Sequence, residues 1–596
     1  MMHEILHHFI ILSLRDSKMR CPTLLLSTIF LSCLVAHSQA QTYADLVLRG
    51  GKIVTVDQAN PQGQAIAVAG DKILAVGSDQ EISKFINAQT NILELEGRLA
   101  IPGFIEGHGH FIGTGQSKMM LDLSTAESWD DVAKQVQTAA AVAPPGEWII
   151  GRGWHQEKWN VKPERLYDGY PTHDKISAVS PNNPVFLTHA SGHMCFANDL
   201  AMREAGISGN TQAPEGGEIL KDENGTPIGI FRETAQGLLS GAIASSTAKQ
   251  SDKDRKRLAE RAVELAVKEC LENGVTSFQD AGTSFANIAM LKEMAAEGEI
   301  NVRLWLMVRD HLALMEDNLA RAKISRHANN FFTVGGIKLS LDGALGPHGA
   351  WLLLPYEDLP SSVGLNTAPL ETARALAALA VKHGYQFCVH AIGDRANREV
   401  LDIFEDSFEN NPSIMPRRWR IEHAQHLHPD DISRFGQLGV IAAMQGIHCT
   451  SDAVFVLQRL GLRRSEEGAY VWQKLMQSGA VVINGTDVPV ENINPLASFY
   501  ATVTRKLKDG TEFFPDQKMS RAEALKSYTL DCAYAAFEED IKGSLEAGKL
   551  ADITVLSKDI MTCPEDEIQD AKVDYTIVGG EVAYDRMQPQ PQPSRK

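Results

Sequence analysis

Residues 102–110 read Pro102-Gly103-Phe104-Ile105-Glu106-Gly107-His108-Gly109-His110, an apolar strand running into two imidazoles. In a strand, residues i and i+2 project to the same side, so His108 and His110 can reach one ion. Alone, the pair fits two polar loop histidines just as well. The same grammar recurs downstream, and that decides the matter. The apolar run 385–389 ends in His390, 420–422 in His423, and 480–486 in Asp487.

Working outward, apolar strands fall near 101–110, 274–280, 301–308, 334–341, 386–390, 419–423, 439–445 and 480–486, alternating with helical stretches. Such alternation is that of a parallel α/β fold. Eight strands close a barrel whose interior side chains fill it, so a distorted (β/α)8 TIM barrel is expected over 101–541. Imidazoles and a carboxylate at C-terminal strand ends stand where barrel active sites form. Neutral imidazole nitrogen and carboxylate oxygen are ligands that Zn2+ prefers. Lys338 sits inside 333–343, the fourth strand of this reading. A buried amine is costly unless paired, and desolvation lowers its pKa. A neutral amine can take up carbon dioxide as a carbamate able to bridge two cations; pairing with Asp342 is the alternative.

The flanks follow different patterns. From 44 to 99, short strands alternate with turns, including Gly70-Asp71 between two apolar runs, a hairpin signal. The same flavour returns at 551–556 and 575–580. Neither piece alone buries a sheet face. Residues 41–100 and 542–585 are therefore expected to form one composite β-sandwich. Residues 112–250, rich in Gly, Pro and Trp, break the barrel rhythm after its first strand and read as an inserted subdomain over the site. The helical stretch 252–273 reads as an outer barrel helix. A Pro/Gln-rich end, 586–596, is expected to be disordered.

With 596 residues the chain exceeds the roughly 250–300 at which single cores stop growing. Its formal charge of −18 argues against a nucleic-acid partner, which needs clustered Lys and Arg. Lys18 and Arg20 precede an apolar run from 22 to 36 and Ser38-Gln39-Ala40, so 1–40 reads as an export signal, with translation starting at Met19. The run is short for a membrane span, so no stable insertion is expected, and a periplasmic or secreted enzyme follows. Six cysteines would remain after cleavage, scattered without CxxC spacing, as buried thiols are. No dinucleotide or Walker motif stands after a strand, and no GxSxG elbow occurs in the right context.

The ordered set HxH, Lys, His, His, Asp resembles the binuclear amidohydrolase superfamily. The text around it resembles amidohydrolase family 3, which includes N-substituted formamide deformylases. The resemblance runs through 102–110, 151-GRGWHQEKW-159, 335-GGIKLSLDGALGPHGAWLLLPY-356, 390-HAIGDRAN-397, 420-RIEHAQ-425 and 543-GSLEAGKLADITVL-556, and covers nearly all of 44–585. It departs at His155, where members often carry Asp, and at Gly107, where Ala, Ser or Cys is common. That second departure is expected to be harmless.

What the resemblance implies is a division of labour. His108 and His110 would hold one metal with Asp487. A carboxylated Lys338 would bridge to a second, held by His390 and His423, with both ions expected to be Zn2+ by donor type. Metal-activated hydroxide would attack the carbonyl, with Asp487 as general base. His193 could donate to the carbonyl oxygen, Trp154 and Trp351 could wall the substrate, and Asp394 and Arg395 could pair in support. The reading is hydrolysis of a non-peptide C–N bond in a small molecule such as an N-substituted formamide or N-acyl amine, by a chain that could be a homodimer. The alternatives are a lactonase, ester or phosphotriester hydrolase on the same core, or a periplasmic binding protein without catalysis.

Overall fold

The computed structural model describes residues 42–163 and 165–588. The segment 1–40, expected to be an export signal, and the chain from 589 onward, expected to be disordered, lie outside the described residues. Eight parallel strands run in chain order around a common axis: β1 (Phe104–Gly109), β2 (Val275–Thr283), β3 (Arg303–Val308), β4 (Phe332–Ser340), β5 (Gln386–Ala391), β6 (Arg420–His423), β7 (Ile441–Gln445) and β8 (Val482–Gly485). Each pairs in parallel with the next from β1 to β8. This is the expected distorted (β/α)8 barrel.

Its distortion has a location. Among the described residues no regular ladder joins β8 to β1. The two strands meet instead through the Asp487 N–H, which donates to the His108 carbonyl at 2.8 Å, and the Thr486 N–H, which donates to the Glu106 carboxylate at 2.6 Å. Gly107 sits at this seam. A Cβ there would stand 2.3 Å from the Asn484 carbonyl oxygen and 2.8 Å from Cys532 Sγ. The departure at 107 is therefore a packing requirement of this chain, because any side chain would force the seam apart.

Helices cover the outside of the barrel, including Asp252–Glu272, whose Ala262, Val263, Ala266, Val267 and Cys270 are buried. Ser251 caps its first turn by accepting the Asp254 N–H. Below the barrel, two further sheets share one core containing Leu46, Ile66, Ala100, Ile553 and Ile577. Ile553–Leu556 pairs antiparallel with Leu99–Pro102, and that strand continues through Gly103 into β1. A buried fork ties this layer to the barrel: Arg303 Nε and Nη2 reach Asp552 Oδ2 and Oδ1 at 2.8 and 3.0 Å.

Between β1 and the Asp252–Glu272 helix, a six-stranded sheet runs from Leu121–Asp122 to Pro227–Glu233 and has its own core. Trp154 belongs to that core. It is fully buried against Trp129 and Trp159, and its indole N–H donates to the Leu187 carbonyl at 3.0 Å. It thus stabilises the inserted layer and offers no wall to a ligand. Cys195, Cys270, Cys388, Cys449 and Cys532 are buried free thiols, and Cys563 is a half-buried one. Among the described residues no helix is long and apolar enough to cross a membrane.

Candidate metal centre

At the C-terminal mouth of the barrel, His108, His110, Lys338, His390, His423 and Asp487 come together. His110 Nε2 lies 3.1 Å and His108 Nε2 3.5 Å from Asp487 Oδ1. The His108 and His423 ring centroids are 4.6 Å apart, and those of His423 and His390 4.5 Å. His108, His110 and Asp487 each offer one donor atom within a 4.8 Å cluster, as do His423, His448 and Asp487.

Buried polar atoms are normally hydrogen-bonded. Here His108 Nε2, His390 Nε2 and Asp487 Oδ1 are buried without a hydrogen-bond partner. Free nitrogens beside a free carboxylate oxygen are what a cation site leaves when its ion is subtracted, so the donor set fits a metal.

The surrounding residues fix these nitrogens in place. His108 Nδ1 contacts the Glu422 carboxylate, and Arg420 grips the same carboxylate through Nε at 2.7 Å and Nη2 at 2.9 Å. With Nδ1–H spent on Glu422, the Nε2 lone pair faces the centre. His423 Nδ1 donates likewise to Gln445 Oε1 at 2.8 Å. His423 and Asp487 have φ of 75° and 58°, left-handed conformations that cost about 1–3 kcal/mol each and aim their side chains inward.

Electrostatics follow burial. Burial alone would raise the Asp487 carboxyl, but the His110, His108 and His423 rings outweigh it and hold the group well below the usual carboxylate range. Burial pushes the Lys338 amine down to about 8, with Glu422 opposing and Arg309 reinforcing. Lys338 does not pair with Asp342. That carboxylate is occupied by the N–H groups of Trp351, Ile392 and Gly393 at 2.9, 3.0 and 2.8 Å, and burial lifts it to about 7.

His193 reaches the mouth from the inserted layer, its ring 4.9 Å from that of His390. Its Nδ1 lies 2.8 Å from Glu233 Oε2. Burial works against a charged His193, but Glu233 prevails and raises its pKa. His155, His193, Gln425, His448 and Phe455 line the cleft above Asp487.

Two expected roles shift. Trp351 gives its backbone N–H to Asp342 and its ring to the Arg395 guanidinium, 5.3 Å away, so it buttresses the β4 and β5 loops and does not line the cleft. Asp394 and Arg395 do not pair with each other: Asp394 accepts the Leu353 N–H at 2.8 Å, and Arg395 Nε donates to Glu399 at 2.7 Å. His448, Glu422 and Glu233 escaped the sequence reading. For His448 a signal existed, since it stands three residues beyond β7. For Glu422, two residues after Arg420 on one strand, alternation also pointed inward.

A barrel with histidines and carboxylates gathered at its C-terminal mouth has the form of a metal-dependent hydrolase. A family model described as "Amidohydrolase family" matches residues 91–584. The chain belongs to the amidohydrolase family. Protein LONG AFTER FAR-RED 3 of Arabidopsis thaliana is 32% identical, with 91% of this chain and 92% of that protein covered. N-substituted formamide deformylase of Arthrobacter pascens is 29% identical, with 91% and 98% covered. A crystal structure of an uncharacterized metal-dependent hydrolase from Pyrococcus horikoshii matches with a TM-score of 0.69 at 24% identity, over 87% of this chain and 99% of that one.

Proposed function

We propose that the chain hydrolyses the C–N bond of a small amide, an N-substituted formamide or N-acyl amine, using two divalent cations, zinc by donor chemistry. The observation that carries this is the clustered donor atoms of His108, His110 and Asp487, of which His108 Nε2 and Asp487 Oδ1 are buried without a hydrogen-bond partner. His108, His110 and Asp487 would hold one ion, and His390 and His423 the other. Lys338 would join them as a carbamate, helped by an amine that burial brings to about 8. Such a pair supplies Lewis acidity to a carbonyl and acidifies water.

The chain's own groups do the rest. Asp487, kept ionised at the floor of the cleft, takes a proton from the attacking water and passes it to the departing nitrogen. His193, whose pKa Glu233 raises, donates from Nε2 to the carbonyl oxygen as negative charge develops there. His448 accepts the Gln425 amide at Nδ1, 3.0 Å away, which leaves Nε2–H as a second donor over the cleft. The printed name of the Arthrobacter pascens relative supports an amide as the substrate.

Hydrolysis of formamides, N-acyl amines, lactones and phosphotriesters by the metal-loaded chain tests the reading. Turnover of the amides supports it; turnover confined to esters or phosphotriesters overturns it. Export is part of the same proposal, supported by the basic, apolar and small-residue segments of 18–40. Its check is a mature N-terminus at Gln41.

A further inference from the structure

The helix Gly446–Gly468 begins at the residue after β7 and carries His448 in its first turn, so its later turns stand further out from the barrel mouth. Asp452 follows His448 by four positions and Phe455 by seven, which puts all three on one helix face. That face lines the cleft over Asp487, together with the apolar side chains of Leu345, Pro347, Ile392 and Val490. Four residues of helix rise about 6 Å. Asp452 thus stands one turn beyond the imidazole that clusters with His423 and Asp487.

What distinguishes Asp452 is a carboxylate held in place without a cation. The Tyr470 hydroxyl donates to its Oδ2 at 2.7 Å. Tyr470 is itself buried, and its N–H donates to the Gln425 carbonyl at 2.8 Å. Oδ1 has only the Ser451 hydroxyl, 3.5 Å away, at the outer limit of a hydrogen bond. The one ammonium lining the cleft, Lys158 Nζ, lies 3.6 Å from Glu491 instead. Among the described residues no basic side chain forms an ion pair with Asp452, whereas the half-buried Asp431 has both Arg398 and Arg434. Burial raises the Asp452 pKa, with His448, Lys158 and the Tyr470 hydroxyl opposing it and Glu491 adding to it.

We propose that Asp452 receives a protonated amine on the substrate, so that the preferred amides are aminoalkyl amides of the monoacylated-diamine class. The inference rests on the proposed amide hydrolysis and narrows its substrate. A partly desolvated carboxylate gains most from a charge-assisted bond. The apolar side chains along the cleft take up the methylenes between the amide at the metal centre and the ammonium at Asp452. With 75 acidic against 57 basic residues, the body of the protein draws cations toward the mouth. An Asp452 that served only to hold Tyr470 would confer no preference for charge, and the test separates the two.

Two probes that cannot be hydrolysed as amides, N-methanesulfonyl-cadaverine and N-methanesulfonyl-aminopentanol, are titrated calorimetrically into the metal-loaded full chain. The wild-type chain should bind the amine at least about tenfold more tightly than the alcohol. In D452N, which can still accept the Tyr470 hydroxyl, the ratio should fall to about one, and D452E should keep part of it, both with wild-type metal content. D452S serves in place of D452N if the latter does not fold. Equal binding of the two probes by the wild-type chain, no binding of the amine, a preference that survives D452N, or loss of metal in D452N would each overturn the assignment. Because neither probe is cleaved, the result stands apart from the substrate panel. An intact preference for the amine without amide turnover would count against amide hydrolysis and not against the ammonium site; amide turnover with equal binding of the probes would do the reverse.

Discussion

His193 Nδ1 and Glu233 Oε2 stand 2.8 Å apart, and the carboxylate fills a hollow that only glycine could leave. A Cβ on Gly343 would lie 1.9 Å from Glu233 Oε1, and one on Gly349 2.2 Å from it. The inserted layer thus plugs into the loop after β4 through the pair that carries the proposed donor.

Glu233→Gln should therefore lower kcat by about 10- to 100-fold with metal content unchanged, since it removes the charge that raises the His193 pKa and orients its ring. Gly343→Ala should give a loss of the same kind by displacing the carboxylate. Steady-state kinetics alongside metal analysis reads both. Wild-type kcat in Glu233→Gln would remove His193 from the mechanism.

Asp487→Asn keeps the shape of the side chain and removes its basicity. The expected fall in kcat is about 10²- to 10⁴-fold, with most of the metal retained. Undiminished turnover would assign proton transfer elsewhere.

For Lys338→Ala the expected outcome is loss of activity, partly restored by added acetate or propionate. Short carboxylates can occupy the gap between the ligands of the two ions. A variant that behaves as wild type, or one that no carboxylate rescues, counts against the bridging carbamate.

Gly107→Ala introduces a methyl 2.3 Å from the Asn484 carbonyl at the β1–β8 seam. Overpacking of this kind costs about 1–3 kcal/mol. Thermal unfolding should show a clearly lowered Tm, and an unchanged Tm would mean that the seam is looser than described.

Chelation provides a separate check. Removing the metal uncovers like charges and free lone pairs at the mouth, so Tm should fall and recover on adding Zn2+ by mass action. Identical melting of the metal-free and metal-loaded chains would argue against a bound cation.

The barrel was legible because its strands are apolar runs of ordinary length, each ending at a rim position, and the candidate ligand histidines advertise themselves at those ends. Pairwise relations across the fold were not. Nothing local to residue 193 names residue 233 as its partner, and the close approach that makes Gly107 obligatory depends on β8, nearly four hundred residues later. Trp154 misled because an indole near a mouth and an indole in a core look alike in a sequence. Arg420 and Glu422, two apart on one strand, sat within reach of simple alternation, yet a buried ion pair reads as two charges until burial is known.

The strand Leu99–Pro102 leads directly into the one that presents His108 and His110, and its neighbour in the sheet is Ile553–Leu556. The order of synthesis is thus opposed to the order of assembly: the ribosome makes the root of the first rim histidines early, and the strand that secures it almost last. A nascent chain stopped short of residue 553 holds every proposed ligand and still lacks the strand that pairs with the root of the first two.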